Sequence, residues 1–249
     1  MDFTTGIVVW IGAVALVAVF TQGLTGFGLA VICTPLLALW VPMKTTVPVA
    51  AIWGGAVTVP IIWALRRHIL WKPVLVLTLS AAPGVWLGAR LLKTVPDAWI
   101  TGTLGVILLS VAVFQLSNGR VPAALRGRLT GIFCGFLAGA LGASTSAPGP
   151  AVIAYTSLQD WDVRVTKAVM NVFFLLQSLI VVSVFGATGL LTSEVKAVSI
   201  WASPFVAGGL AAGMLLSHGL RNRMELLRRI IYSAVLLLGI SMLAKAFWP

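Results

Sequence analysis

Hydrophobic runs fill most of this chain, and the polar gaps between them are short. A bilayer core needs about 20 apolar helical residues to cross it. By that measure the pattern predicts membrane helices over residues 6–23, 46–65, 73–92, 98–116, 129–142, 165–185, 195–217 and 227–247. Two shorter apolar pieces, 29–41 and 147–158, read as half-helices. The longest polar connection, 118–128, divides a first repeat (1–117) from a second (129–249). The expected fold is an all-α polytopic membrane protein of two inverted repeats. It has about eight transmembrane helices, with broken or re-entrant half-helices at glycine-rich motifs.

Each half-helix follows a polar, glycine-rich interruption. The first runs Thr21-Gln22-Gly23-Leu24-Thr25-Gly26-Phe27-Gly28, and the second runs from Gly139 through Ser144-Thr145-Ser146-Ala147-Pro148-Gly149-Pro150. Bare backbone groups have no water partner inside a bilayer. A broken membrane helix is therefore tolerated only where it is buried in protein or lines a cavity. Paired breaks at matching places in two halves point to the substrate site of a transporter.

The halves also match in their glycines. Gly23 and Gly26 correspond to Gly139 and Gly142 at an offset of 116, and Gly84 and Gly88 to Gly209 and Gly213 at an offset of 125. Spacings of this kind let helices approach closely. The basic gaps at 66–72, 120–128 and 221–229 belong in the cytoplasm by the positive-inside rule. Their equivalents in the other repeat, near 93–96 and 189–196, then lie outside, which makes the repeats inverted.

Composition narrows the class. The chain has 249 residues, 59% hydrophobic and 9% charged, against roughly 25% charged in a soluble domain. No soluble domain fits between the spans. Tryptophans at 40, 71, 99, 161 and 248 stand near span ends, where amphipathic rings settle at the headgroups. The net charge of +11 comes from the short gaps between spans, so a nucleic-acid partner is not expected. Cys33 and Cys134 lie in apolar surroundings and read as small hydrophobes. No ligand cluster calls for a metal or a cofactor. No basic region precedes the apolar run 7–20, so the first segment is expected to remain as a membrane helix.

The acidic residues decide more by where they are missing. Asp2, Asp97, Asp160, Asp162, Glu194 and Glu225 all fall at the chain end, in loops or at span ends. Proton-coupled cation carriers and acidic selectivity rings use intramembrane carboxylates. Neutral donors gather at the breaks instead, and helix N-termini with bare amides favour anions. The candidate binding residues are Gln22, Thr25, Gly26 and Gly28 in one half, and Ser144, Thr145, Ser146 and Asn171 in the other. Lys167 is one helical turn from Asn171, either as countercharge for an anion or as a cation snorkelling to the interface. Arg90 and Lys93 read as snorkelling residues, His68 has no catalytic reading, and no nucleophilic triad is spaced for catalysis.

At these residues the chain resembles the sulfite exporter TauE/SafE family. The resemblance lies in GLTGFGLAVICTPLLAL from Gly23 to Leu39, in GARLLK from Gly88 to Lys93, and in Ala147-Pro148-Gly149-Pro150 with its aliphatic run to Tyr155. Trp161 and Thr166-Lys167-Ala168 extend it. The first motif departs from an unbroken glycine triplet, and Lys167 stands where many relatives carry arginine. Lysine is a point charge without arginine's bidentate fork. The resemblance implies a multi-pass protein of the cell inner membrane carrying sulfite, thiosulfate, a sulfonate or a related organic anion. Its partners are then that small anion and the lipid bilayer, and a homo-oligomer is compatible. A non-transporting scaffold or assembly subunit and an anion channel are the alternatives.

Overall fold

A computed structural model describes residues 5–26, 28–116, 127–219 and 224–247. The basic connection at 118–128 lies outside them apart from Gly127 and Arg128, as does Phe27. Among the described residues there are eleven α-helices. They are α1 Thr5–Thr25, α2 Leu29–Ala38, α3 Met43–Leu65, α4 Trp71–Thr94, α5 Asp97–Leu116 and α6 Arg128–Thr145, followed by α7 Gly149–Ser157, α8 Val163–Thr188, α9 Ser193–Trp201, α10 Ser203–Gly219 and α11 Met224–Phe247. A short 3-10 turn, Arg66–His68, follows α3.

Six of these helices are long and apolar enough to cross a membrane, or seven if α9 and α10 count as one span, against the eight expected. The helix α6 is not among them, since Arg128 and glycines at 131, 135, 139 and 142 take places that larger aliphatic residues would fill. Residues 195–217 form two helices bent by 45°. Pro204, the second residue of α10, supplies the reason: it has no N–H to donate and its ring crowds the carbonyl four residues back.

Both half-helices fold back along the helix before them. The Trp10 Nε1 of α1 donates to Leu36 O of α2 at 3.1 Å, so the start of one helix meets the end of the other. In the second half, a Cβ at Gly131 near the start of α6 would meet the Tyr155 ring near the end of α7 at 3.2 Å. At about 1.5 Å per residue, α2 and α7 reach only halfway across a bilayer.

Six of the eight matched glycines make close crossings between the two halves, while Gly26 and Gly142 meet the Lys167 and Gln177 side chains of α8. Gly84 and Gly88 of α4 lie against the α6 backbone at Phe136 and Ala140, and Gly139 against Ala81. In the other pairing, Gly209 and Gly213 of α10 lie against Leu16 and Phe20 of α1, and Gly23 against Gly213. Each crossing is parallel, because rising numbers on one helix meet rising numbers on the other. The helices α5 and α11 run antiparallel, with Gly105 beside Gly239 and Gly102 beside Ala246. The helices α3 and α8 pack together at the centre, where Ser178 Oγ donates to Ala51 O at 2.7 Å.

Candidate functional site

The first break is narrower than its polar sequence. The helix α1 continues through Gly23 to Thr25, because Gly23 is a packing position on α10 and not a stop. The chain then turns at Gly26 (φ 83°) and Gly28 (φ 111°), both left-handed conformations that glycine adopts freely. In the second break α6 runs to Thr145, and only Ser146, Ala147 and Pro148 separate it from α7. Ser146 itself is left-handed, with φ 57°.

A cavity of about 980 Å³ touches both breaks. Its walls include Gln22, Thr25, Gly26, Gly28, Ser146 and Lys167 from the sequence-based candidates. Ser144, Thr145 and Asn171 do not line it, although all three are buried beside it. The cavity extends past Gly54 and Gln177 to a mouth at Leu65, His68, Asp162 and Arg164.

Hydrogen bonds separate the available donors from those already used. The hydroxyls of Thr25, Ser144 and Thr145 donate to the carbonyls four residues back, Thr21 O, Ala140 O and Leu141 O, at 2.8 Å each. Such back-bonding satisfies a hydroxyl within its own helix. Gln22 Oε1 accepts from Leu29 N at 3.0 Å, caps the start of α2, and fixes the orientation of the amide. Its Nε2 then has no partner within the described residues. The Ser146 hydroxyl and the Lys167 ammonium likewise have none. Three donors from three helices or their ends therefore border the cavity with hydrogen-bonding capacity to spare.

Asn171 has a different place. Its Nδ2 donates to Gly26 O at 3.0 Å and to Lys167 O at 2.8 Å, tying α8 to the first break. The Lys167 side chain covers Gly26, where a Cβ would come within 3.2 Å of Lys167 Cδ. Six residues beyond Asn171 on α8, Gln177 Nε2 donates to Ala138 O of α6 at 2.8 Å and packs on Gly142. One helix thus holds both hairpins. Sequence reasoning missed Gln177, and nothing in the pattern of residues marked His68 or Arg164 as bordering a cavity.

Charge around the cavity is one-sided. Arg164 and Lys167 face a single carboxylate among the lining residues, Asp162, which is occupied as the N-cap of α8, accepting from Arg164 N at 3.2 Å. Among the described residues no group of His, Cys, Asp and Glu could hold a metal ion. No curated protein and no solved structure matches the chain. A family model does match it, over residues 11–242, and its description is Sulfite exporter TauE/SafE.

Proposed function

The chain belongs to the sulfite exporter TauE/SafE family, a family of membrane transporters, and from this premise we propose that it carries a small anion by alternating access. The observation that carries the reading is the cavity at the two breaks, with donors from Gln22, Ser146 and Lys167 and no carboxylate beyond Asp162. Preorganised donors and an ammonium stabilise dispersed negative charge, and each charge-assisted bond contributes about 1.5–3 kcal/mol. The substrate class is sulfite, thiosulfate, a sulfonate or a related organic anion. Gln22, Thr25, Gly26, Gly28, Ser146 and Lys167 form the wall of the binding site, while Ser144, Thr145 and Asn171 hold its shape from behind.

The architecture proposed for this work is an inverted repeat. The exchanged crossings support it: α1 against α10 and α4 against α6, each through glycines that match between the halves. The back-folded pairs α1–α2 and α6–α7 are equivalent under the same relation and enter from opposite faces. The His68 and Arg164 mouth shares its face with the basic gap at 66–72, and the positive-inside rule supports reading that face as the cytoplasmic side of an inner membrane. This arrangement is then the inward-facing one.

Counterflow in proteoliposomes tests the reading. Saturable exchange of sulfite, thiosulfate or a sulfonate is expected, and Lys167→Met should raise the half-saturating concentration roughly ten- to a hundredfold, as the loss of one charged hydrogen bond implies. Current that rises without saturation would make it a channel. Absence of flux for every anion of the class would leave a scaffold.

A further inference from the structure

The face of the molecule away from the cavity mouth is tied shut around the end of α2. The last carbonyls of any helix have no partner within it. Here they receive donors from distant elements: Leu36 O from Trp10 Nε1, and Ala38 O and Leu39 O from Lys245 Nζ at 2.6 and 2.8 Å. Lys245 stands in the last turn of α11, 207 residues from Ala38. On the same face, Asp97 Oδ2 accepts from Met43 N at 3.0 Å, and Lys93 Nζ donates to Thr188 O at 2.8 Å.

A cation at a helix C-terminus also complements the helix dipole. For α2 the opposite, positive end lies at the cavity beside Gln22. Opening the tied face requires the α1–α2 hairpin to move relative to α11, and the two bonds from Lys245 are what such a movement breaks. Lys245 is exposed, so water or headgroups can take its ammonium when the bonds part. A tie with ready replacement partners can open and close repeatedly, unlike one sealed in apolar surroundings.

We propose that Lys245 is a positioning residue that latches the face opposite the cavity mouth, its ammonium holding α2 in the closed position. The inference rests on the alternating-access reading above. A single cysteine at Gly54, a cavity residue with nothing within 4 Å of an added Cβ, reports which face is open. The buried Cys33 and Cys134 are replaced by alanine, and a membrane-impermeant maleimide is applied to right-side-out and inside-out vesicles.

The parent is expected to label mainly through the His68 face. Lys245→Met should speed labelling from the opposite face at least threefold, Lys245→Gln should do so less, and Lys245→Arg should restore the parent pattern. If Lys245→Met does not assemble, the graded pair of Gln and Arg carries the comparison. A lower melting temperature with unchanged sidedness in the Met and Gln variants would overturn the latch and leave the carrier reading intact. Equal labelling of the parent from both faces would overturn the carrier reading, and the latch with it.

Discussion

The two hairpins solve one problem with different residues. In the first, glycines at 26 and 28 take the left-handed turns, and the surroundings hold the half-helix at every point. Asn171 binds Gly26 O, Gln22 caps Leu29 N, and Trp10 and Lys245 cap the far end. In the second, Ser146 takes the left-handed turn and Pro148 is the N-cap residue ahead of α7. The far end of α7 uses its own side chains: Thr156 Oγ1 donates to Ile153 O at 3.3 Å, and Ser157 Oγ to Ala154 O at 2.9 Å. A half-helix held by remote partners depends on the whole fold for its position. A half-helix capped by its own hydroxyls carries more of that information locally.

The sharpest way to break the comparison is to add one methyl group to each hairpin. At Gly26 an L-residue must adopt φ 83° and push aside the Lys167 chain. The left-handed conformation alone costs about 1–2 kcal/mol. Gly26→Ala should therefore reduce transport at least tenfold. Gly149→Ala meets no atom within 4 Å and has no such angle, so it should retain most activity. Initial uptake rates normalised to protein in the membrane decide the matter, and equal losses would show the first break to be no more constrained than the second.

Next in size is the hold of α8 on each hairpin. Asn171→Ala leaves Gly26 O, beyond the end of α1, without its side-chain donor in the protein interior. Such a loss costs about 1–3 kcal/mol. Gln177→Ala removes a second donor from Ala138 O, which lies within α6 and keeps its helical bond. The melting temperature in detergent should fall further for Asn171→Ala than for Gln177→Ala. The reverse order would place the greater dependence on the second hairpin.

These residues also mark what could be read from the sequence. The two breaks were legible because polar residues and glycines interrupt long apolar runs, and the turns fall within the motifs. Gly84 and Gly88, and Gly209 and Gly213, were legible as close crossings from their matched spacing of small residues. Helix ends were not: Thr25 and Thr145 look like break residues, yet each is satisfied by a carbonyl four residues back and remains helical. The pattern also ran straight through Ala202, although Pro204 was in plain view within that span. Lys245 and Gln177 were beyond reach in another way. Their partners are backbone carbonyls far off in the chain, and a carbonyl leaves no mark on a sequence.

A third comparison sets the Lys167 ammonium at the first break against a guanidinium in the same place. Lys167→Arg keeps the charge beside Gly26 but exchanges a compact ammonium for a planar fork. It should preserve anion transport while altering the ranking of sulfite against the bulkier sulfonates by a few-fold, a smaller effect than losing the charge. Competition among these anions for one labelled substrate measures it. An unchanged ranking would confine Lys167 to a general electrostatic role.

The last comparison is between two serines of the second break, and the smallest effect belongs to Ser144. Ser146→Ala removes the unpartnered hydroxyl but retains an L-residue at φ 57°, whereas Ser146→Gly removes the hydroxyl and relieves the turn. If the hydroxyl binds substrate, both variants should weaken affinity by a similar amount, about tenfold at the lower end of the roughly 1.5–3 kcal/mol of a hydrogen bond to a charged group. If backbone geometry were the controlling feature, the glycine variant would depart from the alanine one. Ser144→Ala provides the floor for the measurement. Its hydroxyl is already bonded to Ala140 O and does not border the cavity, so half-saturation should move by less than about twofold, the scale of a substitution away from the binding groups. A Ser144 effect as large as that of Ser146 would mean that substrate affinity reports the shape of the hairpin and not the donors on its surface.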